Sequence, residues 1–274
     1  MLALRQFAVL ANVDLSELAM VAENVHETTL LAGNRIVAAG AHVPALHLIM
    51  EGRIESGDQV YGTREVYGLL EVLARRPSTA PAIAVVDTRV FRIPAGDARE
   101  IFEDNIGVLR AVLAELSTRL LAHGPRLGFG PPMAAAGERM TLVERMIALR
   151  QHSPLAGGRL QALTAVAQRM EEQSWQAGEV IVEAGVLPER IILVLAGALK
   201  IGDSIVGPGD SVGTLEAFAG VPYTAAIHVA TTTTALVCPV AGLLDVIEDY
   251  TDLGLAISST LAGRLLDVIG TRSN

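Results

Sequence analysis

Tyr67 to Ile83 reads YGLLEVLARRPSTAPAI. A short apolar run enters Gly68, six residues suited to a helical turn follow (Leu69 to Ala74), and a basic pair, a proline and two hydroxyl residues lead back into apolar sequence. The plan recurs downstream in Val212 to His228, VGTLEAFAGVPYTAAIH. Gly68 matches Gly213, Glu71 matches Glu216, Pro77 matches Pro222, and Thr79-Ala80 match Thr224-Ala225, each at a separation of 145 (213 minus 68).

The same offset extends outward in both directions. Leu2 to Gln6 (LALRQ) matches Ile147 to Gln151 (IALRQ), Ile36-Val37 matches Ile181-Val182, and Gly33, Gly40, Gly52, Gly57-Asp58 and Pro94 all have counterparts. No gap interrupts the match from Leu2 to about His123. An ungapped internal duplication of this length sets the domain count at two. We expect a first domain over residues 1–124, a linker over 125–137 and a second domain over 138–274. Within Gly124 to Ala136 (GPRLGFGPPMAAA), Gly128, Gly130, Pro131 and Pro132 fall close together, which no helix can continue through.

Within each copy the apolar period changes twice. Leu10, Leu15, Leu18, Val21, Ala22 and Val25 recur at helical spacing, and the N-terminal stretch reads as a helix, since Asp14 and Glu17 interrupt any signal-peptide core. From Thr28 to Pro94 short runs broken by Gly, Asp and Pro predict strands at Arg35 to Ala38, Leu46 to Met50, Gln59 to Tyr61 and Ala82 to Val86. Helical spacing then returns from Asp97 to Leu121, with apolar seams at Leu109, Leu113, Leu116 and Leu120 and, in the second copy, at Leu253, Ile257, Leu261 and Leu265. A second-copy helix is expected from near Glu138 to His152.

The cassette of Gly68 and Pro77, repeated at Gly213 and Pro222, resembles the phosphate-binding cassette of cyclic-nucleotide-binding domains, the family of the catabolite activator protein and the protein kinase A regulatory subunit. The segment Leu31 to Glu55, with Gly33, Gly40 and Gly52, is similar to that family's second and third strands. The resemblance implies an α+β, mainly β, fold: two tandem double-stranded β-helix (jelly-roll) barrels, each flanked by N- and C-terminal helices. It also implies a ligand pocket at Gly68, Leu69, Leu70, Glu71, Arg75, Arg76, Ser78 and Thr79, and at Gly213, Thr214, Leu215, Glu216, Tyr223 and Thr224.

The family's cassette uses a Glu on the ribose and an Arg on the cyclic phosphate, backed by helix-start amides. Here those positions hold Leu69 and Ser78 in the first copy, and Thr214 and Tyr223 in the second. Both copies instead carry a Glu three residues past the Gly, where its carboxylate can fold onto the first-turn amides. An anionic ligand would meet a like charge with no compensating guanidinium. Arg75 or Arg76 is the nearest substitute cation, and the second copy has Gly220-Val221 there. Tyr223 is expected to pack across a pocket mouth, and Ser78, Thr79 and Thr224 to satisfy local backbone groups.

Composition narrows the classes. The chain has 274 residues, half of them hydrophobic (51%), and a net charge of −9, which disfavours nonspecific nucleic-acid or anionic-membrane partners. Neither a transmembrane span nor a helix-turn-helix is expected. The single cysteine, Cys238, fits a reducing, cytoplasmic setting. His42 and His47 lack the spacing of a cupin metal site, and His26, His123, His152 and His228 are scattered. No nucleophilic Ser or Cys arrangement and no Walker loop is read. The expected protein is a bacterial-type, non-enzymatic regulator or adaptor with degenerate pockets, no cofactor and a protein partner. The alternative is a true receptor for a cyclic nucleotide or other small molecule. The long helices are expected to make either a pseudo-dimer within one chain or a homodimer.

Overall fold

The computed structural model describes residues 2–123, 140–151 and 155–272. The expected linker, and the expected helix ends at Glu138 and His152, lie outside them. The chain divides into two compact units: Met1–Leu116 with Ser258–Asn274, and Ser117–Ile257. Helices combine with several antiparallel sheets.

In unit 1 the expected N-terminal helix is broken. Two 3-10 turns, Leu4–Gln6 and Ala8–Leu10, precede α1 (Leu15–Glu23). Extended backbone at Phe7 (ψ 127°) and Asp14 (ψ 152°) separates these pieces, which lets Leu4, Phe7, Leu10, Leu18 and Val21 all reach the interior. Strands β1 (His26–Leu30), β2 (Arg35–Val37), β3 (Ala45–Glu51), β4 (Ile54–Ser56), β5 (Gln59–Tyr61) and β6 (Val66–Tyr67) follow. Then come α2 (Leu69–Ala74), β7 (Ala82–Ala84), β8 (Thr88–Pro94), α3 (Ala95–Asp104) and α4 (Ile106–His123). One four-stranded sheet has the order β1-β8-β3-β6 and the other β2-β7-β4-β5. The first five residues of β3 are buried on both faces, which is why it reads as a continuous apolar run rather than an alternating one.

The helix expected over Asp97 to Leu121 is two helices. Asn105 adopts extended backbone (φ −126°, ψ 96°). Its side-chain amide donates to the Ile101 carbonyl (2.9 Å), satisfying the end of α3.

Unit 2 contains α5 (Leu142–Gln151), a 3-10 turn, α6 (Leu160–Arg169), β9 (Glu171–Trp175), β10 (Val180–Val182), β11 (Arg190–Ile201), β12 (Ser204–Val206) and β13 (Ser211–Val212). It continues through α7 (Thr214–Ala219), β14 (Ile227–Pro239), α8 (Val240–Asp249) and the first turns of α9 (Thr251–Arg272). Its sheet has the order β10-β14-β11-β12, with β9 on β14 and β13 on β11. The elements keep the sequence offset: α2 and α7, and α3 and α8, begin 145 residues apart (214 minus 69; 240 minus 95).

Both units bend two strands against each other at one corner. Gly52 (φ +103°) and Gly197 (φ +84°) occupy the left-handed region, and a Cβ on either would lie 2.7 Å from the Cα of Thr88 or Thr233. Only glycine permits that approach. The threonine closes the corner. Thr88 Oγ1 accepts from the Arg53 N–H (3.0 Å) and donates to the Val86 carbonyl (2.8 Å), and Thr233 Oγ1 donates to the Thr231 carbonyl (2.7 Å).

The two leucine-rich seams are buried: Leu109, Leu113, Leu116 and Leu120 on α4, and Leu253, Ile257, Leu261 and Leu265 on α9. The expectation of no span-like helix needs correcting on length and composition. Thr251–Thr271 is long and apolar enough to cross a membrane. Leu253, Ile257, Leu261 and Leu265 of this helix are buried, while Leu255, Leu266, Val268 and Ile269 are half-buried.

Candidate functional site

Gly68 and Gly213 are the residues on which each cassette turns. Both are left-handed (φ +93° and +87°) and each caps a six-residue helix. A Cβ on Gly68 would meet the Ala45 carbonyl oxygen at 2.9 Å, and one on Gly213 the Arg190 carbonyl oxygen at 2.7 Å. The strand-to-helix turn therefore lies against the backbone of the neighbouring strand in both units.

Past the glycine the candidate residues separate. Leu69 and Leu70 point into the core of unit 1, where Leu69 lines a small apolar gap with Val9, Leu46 and Phe102. Glu71 is only 9% exposed, and desolvation holds its carboxyl above the usual range, opposed by a hydrogen bond from its own backbone N–H. The carboxylate has thus folded back onto the first turn of α2. Arg75 is exposed in a left-handed conformation (φ 53°). Arg76 leaves the cassette instead of reaching back across it: its Nη1 donates to Asp267 Oδ1 (2.5 Å) and, more weakly, to the Gly263 carbonyl (3.4 Å), both on α9. Ser78 is buried and donates to the Ala80 carbonyl (2.7 Å), while Thr79 is exposed.

Glu71, Arg76 and Thr79 share a pocket of about 610 Å³ in unit 1. Its walls are the β4–β5 hairpin (Ser56 to Gln59), the cassette, and the last turns of α9. Tyr61, Leu266 and Ile269 give it apolar surface, and Asp58 and Asp267 add acidic charge. Beneath it lies a buried polar group that the sequence reading missed. Tyr67 is fully buried, and its hydroxyl lies near those of Ser56 and Ser78 without completing a hydrogen bond to either. Burial pushes this phenol up to about 12. Tyr61 packs edge-on against Tyr67 at 5.3 Å, and the buried His47 ring lies 6.0 Å away. Burial, with the Arg92 charge beside it, holds His47 down to about 4, so the ring is neutral.

Unit 2 arranges its cassette differently. Tyr223 is 2% exposed and belongs to the apolar core with Ile192, Val212 and Ile227. A Cβ on Gly213 would lie 2.4 Å from the Tyr223 hydroxyl, so this phenol sits at the start of α7. Thr214 is buried and shares a hydrogen bond with Ser211 (2.5 Å), and Leu215 and Glu216 are buried as well. Thr224 is exposed. A pocket of about 250 Å³ in this unit is lined by Ile181, Glu183, Glu189, Arg190 and Tyr223, among others, and Thr214 to Glu216 are not in its lining. The expected packing role of Tyr223 therefore extends further, to filling the cassette itself.

One serine arrangement corrects the sequence reading. Gly209 to Gly213 reads Gly-Asp-Ser-Val-Gly, the spacing of a nucleophile elbow. Ser211 sits within β13 rather than on a strand-to-helix turn, and it faces a gap of about 20 Å³, too small for a substrate. Among the described residues, no three His, Cys, Asp or Glu side chains cluster as metal ligands.

The signals for Tyr67 lay in the repeat itself. At the same offset Tyr67 and Ser78 face Val212 and Tyr223, so the large and small residues exchange places. Asp267 carried no comparable signal, because it meets Arg76 across 191 residues.

Comparison with known proteins places this geometry in context. Residues 172–250 match the family model "Cyclic nucleotide-binding domain". That match runs from β9 to just past α8, inside unit 2. No curated protein sequence matches the chain. Similar solved structures include the regulatory domain of Toxoplasma gondii protein kinase A with cAMP, at 15% identity and TM-score 0.37, covering 98% of this chain and 93% of that one. The regulatory subunit of a cAMP-independent protein kinase A from Trypanosoma brucei is similar at 16% identity and TM-score 0.36, covering 90% and 86%. The N-terminal domain of a transcriptional regulator from Streptomyces coelicolor A3(2) is similar at 21% identity and TM-score 0.41, covering 46% and 94%.

Proposed function

We propose that this chain is a non-enzymatic regulatory protein made of two tandem cyclic-nucleotide-binding-type jelly rolls. Neither cassette holds a cyclic phosphate, and the protein acts by binding another protein. The family match of residues 172–250 supports a regulatory module. The observation that carries the loss of phosphate recognition is the pair Glu71 and Glu216. Each carboxylate is buried in the first turn after a left-handed glycine, 9% and 5% exposed. A cyclic phosphate brought to either turn would bury a negative charge beside a carboxylate, with Ser78 or Tyr223 where a counter-charge is needed. Losing such a charge-assisted pair in a dry pocket costs about 2–5 kcal/mol, roughly two to three decades of affinity.

Calorimetry of the full chain with cyclic AMP, cyclic GMP and cyclic dinucleotides tests this. The expected result is no saturable binding, and micromolar binding at either unit overturns the reading. A second reading, a receptor for a different small molecule, is favoured by the unit 1 pocket, whose 610 Å³ lies within the ~300–1,000 Å³ typical of ligand sites.

A further inference from the structure

The loop between α2 and β7 sets two arginines before two hydroxyl residues: Arg75-Arg76-Pro77-Ser78-Thr79-Ala80. Ser78 anchors it, its N–H donating to the Ala41 carbonyl (2.9 Å), and Thr79 lies in a bend just beyond that anchor. Guanidinium groups a few residues before a hydroxyl are what the acidic substrate cleft of an arginine-directed serine/threonine kinase pairs with. Both hydroxyls have an arginine three residues upstream, Arg75 for Ser78 and Arg76 for Thr79.

The fold chooses between them. Ser78 is 2% exposed and its hydroxyl donates to the Ala80 carbonyl (2.7 Å), so it is closed to another active site. Thr79 is exposed, and its hydroxyl makes no hydrogen bond among the described residues. Arg75 is exposed as well, with no ion pair among the described residues. Its backbone is left-handed (φ 53°), where unit 2 has Gly220 (φ 66°). Glycine suits that conformation better, so what arginine supplies there is charge and not chain path.

Thr79 also lies where a phosphate would act. It lines the unit 1 pocket with Arg76, Asp58 and Asp267. Arg76 is paired with Asp267 of α9, and both side chains are about half exposed or more (48% and 61%), so the pair exchanges partners readily. A phosphothreonine, with about −1.5 to −2 charges and three acceptor oxygens, competes for that guanidinium and repels Asp267. The last turns of α9, with the half-buried Leu266 and Ile269, then lose a contact to the loop.

We propose that Thr79 is a phosphoacceptor for an arginine-directed kinase, and that its phosphate draws Arg76 from Asp267 and loosens the last turns of α9. In the transfer, Thr79 Oγ1 bonds to the γ-phosphorus of ATP. The bond from that phosphorus to the β,γ-bridging oxygen breaks, ADP leaves with the electron pair, and the hydroxyl proton passes to a base of the kinase. Unit 2 offers no such acceptor: Thr224 is exposed, but Gly220-Val221-Pro222-Tyr223 precede it. The proposal goes beyond the adaptor reading and depends on neither cassette's ligand.

The test treats the full chain with Mg-ATP and each of a panel of arginine-directed serine/threonine kinases. Tandem mass spectrometry locates the phosphate, and hydrogen exchange compares the modified and unmodified chains. The expected result is phosphate on Thr79, with exchange in peptides covering residues 258–272 faster by about threefold or more. T79A is expected to abolish incorporation at this loop and R76Q to slow it about tenfold or more. D267N, which frees Arg76, is expected to speed it. The proposal is overturned if no kinase of the panel modifies Thr79 in the folded chain, or if Ser78 or Thr224 is modified instead. Phosphate on Thr79 with unchanged exchange in α9 overturns the switch. Cyclic-nucleotide binding by calorimetry would sink the preceding reading and leave this one standing.

Discussion

Across the sheet of unit 1, Arg92, His47 and Tyr67 lie directly opposite one another on β8, β3 and β6. At the same places in unit 2 stand Val237, Ile192 and Val212, on β14, β11 and β13. The frame around the two rows is shared: the left-handed glycines, the Gly–Thr corner and the six-residue helix recur in both. The filling differs. Unit 1 buries a histidine, a phenol and a serine under an open pocket, whereas unit 2 buries aliphatic side chains and closes its cassette with Tyr223. The two units thus share what the chain path needs at these turns and differ in the chemistry of their interiors.

The largest expected effect tests that volume exchange. Tyr67→Val removes a fully buried ring and should cost about 3–5 kcal/mol by the usual cavity penalty, read as a lower urea midpoint. Adding Ser78→Tyr recreates the unit 2 pairing and should recover a large part of the loss. If the double variant is no more stable than the single one, the two interiors are not interchangeable solutions to one packing problem.

His47 sharpens the comparison through pH. The folded ring stays neutral down to about 4, while an unfolded histidine takes its proton near 6.5. The stability it contributes is complete above 6.5 and is lost as pH falls from 6.5 towards 4, where the unfolded chain binds the proton first. The loss should approach about 3 kcal/mol at the acid end. His47→Ile, the residue of unit 2, should flatten this slope, measured as hydrogen exchange of unit 1 peptides between pH 4 and 7. An unchanged slope would assign the acid sensitivity elsewhere.

Gly68→Ala and Gly213→Ala should each cost about 2 kcal/mol or more, since both positions combine positive φ with a close backbone oxygen. Equal costs would mean the two turns are energetically equivalent. A markedly smaller cost at Gly213 would mean that its tyrosine-filled cassette relaxes more easily. The smallest effect belongs to Asp267→Asn. Both side chains of the Arg76–Asp267 pair are about half exposed or more (48% and 61%), so its loss should cost under about 1 kcal/mol in urea unfolding. A larger loss would mean that α9 depends on this contact to stay beside the pocket.

Much of this was legible from residue order. The constant offset exposed the repeated frame, the glycines marked the turns, and α2 and α7 fall where the period and the flanking breakers put them. Boundaries were less legible where local backbone departs from the period. The amphipathic run at the N-terminus is interrupted at Phe7 and Asp14, and the run after β8 at Asn105. Apolar spacing records which residues face inward, and it is the same for one helix as for two whose pieces bury the same side.

By itself, the order of residues determined the repeated frame and the uncharged side chains at Leu69 and Ser78, and at Thr214 and Tyr223. Those are properties of local turns and of residue identity at matched positions. Tertiary structure alone decided that Leu69 turns into the core, that Glu71 ends as a desolvated floor, and that Tyr223 fills one cassette while the other stays open. It also decided that Arg76 is held by Asp267 from the far end of the chain. Burial and long-range pairing depend on which surfaces meet after folding, and a contact spanning 191 residues leaves no periodic trace in the chain.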